Sequence, residues 1–477
     1  MTDEPRSRED PAPHHPRRML AVLLTPLFMA LVAMSVINVG LPAIQESFGT
    51  TSTGVQWTIS GYTLAFALLL VPAGRIGDAS GRRRMLIIGV AVFTVGSLLS
   101  AVAPTIDVLN LARVLQGVGS GLLNPQSVGI IQQNFVGQAR AKAFALFGTT
   151  VALATAIGPV IGGLLIQVFG PETGWRLMFG MNVPLGVLTV VLAFLWLPDD
   201  RARSGTRIDL DPVGVVLLSV GLVSMMLPFL ERGRSPLLWL QLPLGLAIVA
   251  VWVWWERRYK QRDRSPMVDI DIFRSEAFRN GIIIVGVYFV GSTSIWIVVP
   301  LFLQTHLGHT PFEAALVGLP ASLAAAVTSQ VAGRYVLRLG RRLVIAGFAT
   351  AIAALVGTAA LAPAVEQHAL SFWWFALPLT LVGASQGMTI SPNQTLTLKA
   401  VDPRYGGVAG GILQLGQRIG AAIGTALIPG VLFSLTEGGF DWLEAFVIVL
   451  GIIAALALGA LIFSARDRAR ERAEQAG

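Results

Sequence analysis

The sequence predicts an all-α polytopic membrane protein of fourteen transmembrane helices, built as two six-helix halves plus an inserted helix pair, with both termini cytoplasmic. Three observations carry this. Of 477 residues, 54% are hydrophobic and 13% charged, with a mean hydropathy of +0.68, which excludes a water-soluble globular chain. Apolar runs of about 18 to 25 residues, each able to cross a ~30 Å hydrocarbon core as a helix, recur along the whole chain. A charge-bearing segment also returns, at the same internal spacing, 259 residues downstream.

The spans are bounded by charge. The first, 19–40, follows Arg17 and Arg18; 54–73 precedes Arg75; 85–104 follows Arg82 to Arg84; 107–131 contains Arg113. The fifth, 141–168, begins beside Arg140 and Lys142, and the sixth, 175–197, ends before Arg201. Spans 212–230 and 236–255 form the inserted pair, lying between Arg207 and Arg257 with Arg232 and Arg234 at their junction. The second half continues with 280–304 after Arg279, 312–333 before Arg334, 343–363 after Arg342 and 370–396 before Lys399. It closes with 406–434 after Arg404 and 442–463 before Arg466. The expected divisions are a disordered cytoplasmic tail at 1–18, an N-terminal half at 19–197, the inserted pair with its flanking loop at 198–258, a C-terminal half at 259–464, and a solvated cytoplasmic tail at 465–477.

An even number of crossings puts both termini on one side. With that side cytoplasmic, thirty of the 35 Lys and Arg fall in cytoplasmic segments; Arg176, Arg232 and Arg234 lie opposite, and Arg113 and Arg418 lie within spans. That asymmetry follows the positive-inside tendency and supports the count as well as the orientation. Trp57, Trp175, Trp239, Trp373, Trp374 and Trp442 fall near outer ends, and Trp252, Trp254 and Trp255 near an inner end, as interfacial belts do. The net charge of +8 is mostly this loop excess, so no nucleic-acid partner is implied. The expected location is a cell membrane of the bacterial inner-membrane type, with membrane lipids as neighbours.

Other function classes lack their residues. There is no cysteine, none of Lys142, Lys260 and Lys399 sits in a Gly-Lys-Ser/Thr phosphate loop, and the five histidines form no His-Glu-x-x-His site. An ATP-driven pump and a membrane enzyme are therefore disfavoured, and no metal, cofactor or catalytic residue is expected.

The recurring segment runs Gly74-Arg75-Ile76-Gly77-Asp78-Ala79-Ser80-Gly81-Arg82-Arg83 in its first copy and Gly333-Arg334-Tyr335-Val336-Leu337-Arg338-Leu339-Gly340-Arg341-Arg342 in its second. Leu337 stands where the first copy has Asp78. Gly81 permits a tight turn, and Asp78 suits a helix N-terminus or a nearby arginine. Gly74, Asp78, Gly81, Arg82 and Arg83 are thus expected to form an inner gate, the alternative being a plain positive loop. Repeated halves around a central site are a transporter architecture.

Four motifs carry a family resemblance. They are Val39-Gly40-Leu41-Pro42 after Asn38, Gly74 to Arg84, Arg113-Val114-Leu115-Gln116-Gly117, and Gly158-Pro159-Val160-Ile161-Gly162-Gly163. On these the chain resembles the major facilitator superfamily and, within it, the fourteen-span drug:proton antiporter branch (EmrB/QacA-like), from about Leu20 to Phe463. The resemblance implies that superfamily's fold and a monomeric, secondary-active exporter of a small amphiphilic substrate working by alternating access, with protons as the coupling partner. It also implies that Gly158, Pro159, Gly162 and Gly163 form the antiporter motif of the fifth span. The alternative is an uncoupled facilitator or lipid translocator of the same fold.

A charged group near the bilayer centre is costly, so it faces a cavity or a partner. Arg113 with Gln116, and Arg418 with Gln414, put one such pair in each half. Asn38 is expected as a buried amide in the first span. Gln56, Ser60 and Thr63 share one helical face, as do Tyr288, Ser292 and Trp296, and Gln386, Thr389 and Asn393. The expected substrate cavity therefore comprises Asn38, Arg113, Gln116, Tyr288, Trp296, Gln386, Asn393, Gln414 and Arg418, with helix-to-helix hydrogen bonding as each residue's alternative role. The family's usual acidic residue, five positions before the Asn, is Ala33 here, and no span carries a central carboxylate. Asp107 is the remaining candidate proton carrier, with helix capping as its alternative, and His306 and His309 are titratable in an outer loop. A cavity of neutral to positive potential is expected, suited to neutral, zwitterionic or anionic amphiphiles.

Overall fold

The computed structural model describes residues 15–198, 211–231, 235–262 and 264–476. The first fourteen residues of the expected tail and the loop arginines Arg201, Arg203, Arg207, Arg232 and Arg234 lie outside the described residues. The described chain is all-helical, with no strand among those residues.

The helices are α1 (Pro16–Ser35), α2 (Ile37–Phe48), α3 (Ser52–Ser80), α4 (Arg82–Ala101), α5 (Ile106–Asn134), α6 (Gly137–Gly180), α7 (Asn182–Trp196), α8 (Pro212–Leu230), α9 (Gln241–Lys260), α10 (Glu276–Leu301), α11 (Pro311–Leu339), α12 (Arg341–Glu366), α13 (Ala376–Lys399), α14 (Gly406–Glu437) and α15 (Trp442–Ala476). Their starts follow local chemistry. Pro16 opens α1, where its missing N–H costs nothing. Thr51, Thr105 and Ser275 cap α3, α5 and α10 by accepting from backbone N–H groups three residues on. Thr310 and Glu313 form a reciprocal capping box at α11.

Eleven helical stretches of the described residues are long and apolar enough to cross a membrane. Two long helices, α5 and α13, fall outside that set because they are polar inside. Buried α5 residues include Arg113, Gln116, Asn124, Gln126 and Gln132, and buried α13 residues include Ser385, Thr389, Asn393 and Gln394. Such side chains are tolerated at membrane depth only where neighbouring helices satisfy them.

Three elements differ from the sequence expectation. The first span consists of two helical segments that meet at Val36, which keeps helical φ and ψ of −63° and −34°, beside the Ser35 hydroxyl that donates to the Val32 and Ala154 carbonyls. The stretch from Gly137 to Trp196 is helical almost throughout but breaks at Gly170, whose φ of 79° lies in the left-handed region. Beyond the break Gly174 comes back against Leu165 and Ile166. At the other end of the chain the helix runs on past the expected span to Ala476, and Asp467, expected in a solvated helix end, is buried.

Packing repeats itself. In the first set of helices α3 packs on α5, α4 on α5, α1 on α6 and α4 on α7; in the second, α11 packs on α13, α12 on α13, α10 on α14 and α12 on α15. These are the same pairings read from equivalent positions in two copies. The sets meet along α3 with α14 and α6 with α11, again an equivalent pair. The hairpin of α8 on α9 lies against the seam, with α8 touching both α3 and α14.

Candidate functional site at the seam between the two helix sets

The seam is joined at the end that carries the recurring segment. Asp78, in the last turn of α3, accepts hydrogen bonds from the backbone N–H of Gly407 and of Val408, each 3.0 Å away. Those are among the first N–H groups of α14, which have no intrahelical acceptor, so a carboxylate of one set caps a helix of the other. Arg82 opens α4 after Gly81, whose φ of 108° suits a residue without Cβ. Its Nε donates to Asp78 at 2.8 Å, one Nη to the Gly129 carbonyl at 2.6 Å and the other to the Pro403 carbonyl at 2.7 Å. A guanidinium that is 4% exposed thus binds its own set and the turn ahead of α14 at once. Gln132 adds a second crossing, donating to the carbonyls of Leu398 and Val401 at 2.8 and 3.1 Å.

Gly74 is one of the places where the α3 and α14 backbones approach closely. A Cβ there would lie 2.5 Å from the Gly407 carbonyl oxygen. Gly74, Asp78, Gly81 and Arg82 therefore gather into one arrangement, as grouped from sequence. Arg83 does not join them: it donates to the Phe194 carbonyl at 2.7 Å, at the end of α7. Gln132 and the α14 N-terminus complete the arrangement, and no spacing in the sequence marks them.

The second copy is wired differently. Gln138 of α6 donates to the Gly333 carbonyl at 2.9 Å, which ties the sets together. Arg341, equivalent to Arg82, donates to Asn393 at 2.7 Å and to the Ala277 carbonyl at 3.1 Å, and pairs with Asp467 at 3.0 Å. The carboxylate missing at Leu337 is supplied by α15, and Asn280 also donates to Asp467, at 2.5 Å. The Arg341 contacts with Asn393, Ala277 and Asp467 lie within its own set, and the crossing to the first set is made at the Gly333 carbonyl.

Farther from that end, the seam is bridged by Gln330 donating to Thr149 at 2.8 Å and by Arg418. Arg418, half-buried, lies over the Phe66 ring at 4.5 Å and donates to the Met34 sulfur at 3.2 Å, both across the seam. Gln414, a turn before it, is buried, with its amide nitrogen unpartnered among the described residues. Asn38, in α2, is exposed rather than buried. Gly158 and Gly162 press against the junction of α1 and α2 at Ser35 and Val36, whereas Gly163 faces open space and Pro159 is half-buried inside α6.

Arg113 is placed otherwise. It is fully buried inside the first set, donating to the Thr58 carbonyl at 3.0 Å and to Gln116, with its guanidinium over the Tyr62 ring at 4.2 Å. Gln116 passes the network on to Ser97 at 2.7 Å. In the second set Tyr288 lines a small apolar cavity with Ser292, Phe348 and Ser385, and Gln386 donates to Ser292 at 3.2 Å. Trp296 is half-buried and packs on Gly318. Asn393 sits apart from these, at the Arg341 clamp, where it also donates to the Gly281 carbonyl at 2.9 Å. Asp107 is exposed in the first turn of α5, where Thr105 is the cap. His306 meets Glu366 at 2.6 Å. Ala33 is fully buried.

Residues 23–425 and 281–477 match the family model described as Major Facilitator Superfamily. A relative named "Probable actinorhodin transporter", from Streptomyces coelicolor, is 32% identical over 87% of this chain and 72% of its own. "Multidrug resistance protein Stp" from Mycobacterium tuberculosis is 30% identical over 85% of this chain and 74% of its own. Among solved structures, that of the human organic anion transporter MFSD10 aligns over 94% of this chain and 99% of its own with a TM-score of 0.68, at 15% identity, a likeness of fold.

Proposed function

Because the chain belongs to the major facilitator superfamily, and is therefore a membrane transporter rather than an enzyme, we propose that it exports amphiphilic small molecules from a bacterial cell by alternating access of its two helix sets. Relatives named for actinorhodin transport and multidrug resistance support export. The observation that carries alternating access is the cap that Asp78 and Arg82 place across the seam. Its contacts are charge-assisted and polar, so they can be made or broken whole, and they sit at one end only.

The helices group into fourteen crossings when α1 is taken with α2 and α6 is divided at Gly170, its second part running on into α7. That count puts both termini at the Arg-rich end, which the positive-inside tendency makes cytoplasmic. The cytoplasmic end is then shut, and the substrate path runs from the opposite side to the level of Arg418. For the inner end to open, Asp78 must leave the α14 N-terminus and Arg82 must leave Pro403. A half-buried guanidinium at the seam, with an amide beside it and no central carboxylate, favours neutral, zwitterionic or anionic substrates.

Proton linkage follows the family pattern, yet Ala33, buried where a carboxylate is expected, favours the competing reading of an uncoupled facilitator. Flux in proteoliposomes, with and without an imposed pH gradient, separates the two. A fluorescent anionic amphiphile is expected to be carried, a small dication not. Arg418→Ala is expected to slow the anion about tenfold, the value of one charge-assisted contact of ~1.5 kcal/mol. Robust dication transport would overturn the substrate assignment, and gradient-independent flux would decide for the uncoupled reading.

A further inference from the structure

The seam has a second side whose wiring the cap at Asp78 does not explain. There α6 runs against α11, the counterpart of α3 against α14. Gln138 donates to the carbonyls of Gly333 and Arg334 at 2.9 and 3.1 Å. Farther along, Ser329 donates to the Ala145 carbonyl at 2.9 Å, Thr149 to the Ala326 carbonyl at 3.2 Å and Gln330 to Thr149 at 2.8 Å. The partners on α6 are Gln138, Ala145 and Thr149, while those on α11 descend from Arg334 to Ala326, so the contacts follow one antiparallel row about 16 Å long.

Leu337 accounts for the different chemistry. It stands where the first copy has Asp78, so α11 offers no carboxylate to the start of α6 at that position. Arg140 donates to the carbonyls of Phe135 and Gln132 at 2.7 and 3.1 Å, which holds the first turn of α6 on the end of α5 and keeps Gln138 within reach of α11. Gly333, the counterpart of Gly74, again lets the helices touch: a Cβ there would meet Ala145 and lie 3.1 Å from the Ala141 carbonyl oxygen. One group on this side is left unpaired. Ser391 of α13 is buried beside Gly148 of α6, and its hydroxyl has no hydrogen-bond partner among the described residues. Parting the helices would give that hydroxyl water, which a permanent core contact would not need.

We propose that this row, led by Gln138, is a second inner gate that shuts the α6–α11 side of the seam with neutral hydrogen bonds, separately from the charged cap at Asp78. The proposal rests on the alternating-access reading and adds to it the residues that hold the other side closed. Each bond joins an uncharged side chain to a carbonyl or a hydroxyl, so it is weaker than a charge-assisted contact and parts more readily. The two sides engage different helices and different acceptors, so their contributions to closure multiply in the opening equilibrium.

The test uses the full chain in nanodiscs. With no native cysteine, Ser391→Cys reports opening of this side through its rate of reaction with a membrane-impermeant maleimide, and the replaced hydroxyl takes no part in the row. Thr358→Cys, fully buried in α12 inside the second set, reports loosening of the fold instead. Gln138→Met keeps the length and removes the donor. It is expected to speed labelling of Ser391→Cys about fivefold, the worth of one neutral hydrogen bond, and to leave the rate at Thr358→Cys unchanged. Combined with Asp78→Ala, the two accelerations should multiply. Acceleration by Asp78→Ala but not by Gln138→Met would overturn the second gate and leave the alternating-access reading standing. No acceleration by Asp78→Ala, by Gln138→Met or by an anionic amphiphile would overturn both. Equal acceleration at Thr358→Cys would reduce Gln138 to a residue of general stability and overturn the gate as well. Should Gln138→Met fail to fold, Gln330→Met, which removes the contact with Thr149, supplies the same readout.

Discussion

Asp78→Ala is expected to cut transport about thirty-fold while the protein stays folded. The carboxylate accepts two N–H groups at the start of α14 and the Arg82 guanidinium, and all three interactions bear on the state in which the Arg-rich end is closed. Contacts of this kind contribute about 1.5–3 kcal/mol each, and water recovers part of that in the open state. A surviving difference of about 2 kcal/mol shifts the balance between closed and open roughly thirty-fold. Asp78→Asn keeps a capping oxygen and loses the charge, so its flux should fall between the wild type and Ala. Flux in proteoliposomes, normalised to the amount of folded protein, checks the series; equal rates for all three would remove the cap from the mechanism.

Gly74→Val is expected to abolish transport nearly completely by preventing the same end from closing. The atom a side chain would meet is backbone, the Gly407 carbonyl at 2.5 Å, and backbone cannot step aside as a flexible side chain does. Gly74→Ala separates this steric effect from folding. Alanine is the better helix residue by about 1 kcal/mol, so stability should hold or rise while activity falls. A fully active Gly74→Ala would mean that α3 and α14 need not approach so closely during the cycle.

Much of this was legible in the sequence, and the boundary of legibility has physical causes. Hydropathy and the arginine-flanked gaps locate helices because a bilayer admits little else, and the Gly74 to Arg83 segment announces itself by returning. What sequence spacing does not encode is which face of a helix meets which neighbour. Arg113 with Gln116 and Arg418 with Gln414 look alike in one dimension, yet the first pair is consumed inside its own set and the second lies on the seam. Asn393 shares a helical face with Gln386, but two turns bring it to the Arg341 clamp instead of the cavity. Asp467 replaces the carboxylate lost at Leu337 through a contact between distant helices, which reads in sequence only as a charged tail.

The central claim is that the two helix sets rock about this seam, one end opening as the other closes. The chain has no cysteine, so paired spin labels can be placed without background. Arg84→Cys with Lys399→Cys spans the sets at the Arg-rich end, and Glu46→Cys with Glu437→Cys spans them at the opposite end, all four at exposed positions. Inter-label distances in nanodiscs should be short and narrowly distributed for the first pair at rest. On adding a transported amphiphile the first pair should lengthen while the second shortens, and Asp78→Ala should produce the same change without ligand. Distances that stay fixed at both ends, or that lengthen together, would contradict alternating access through this seam.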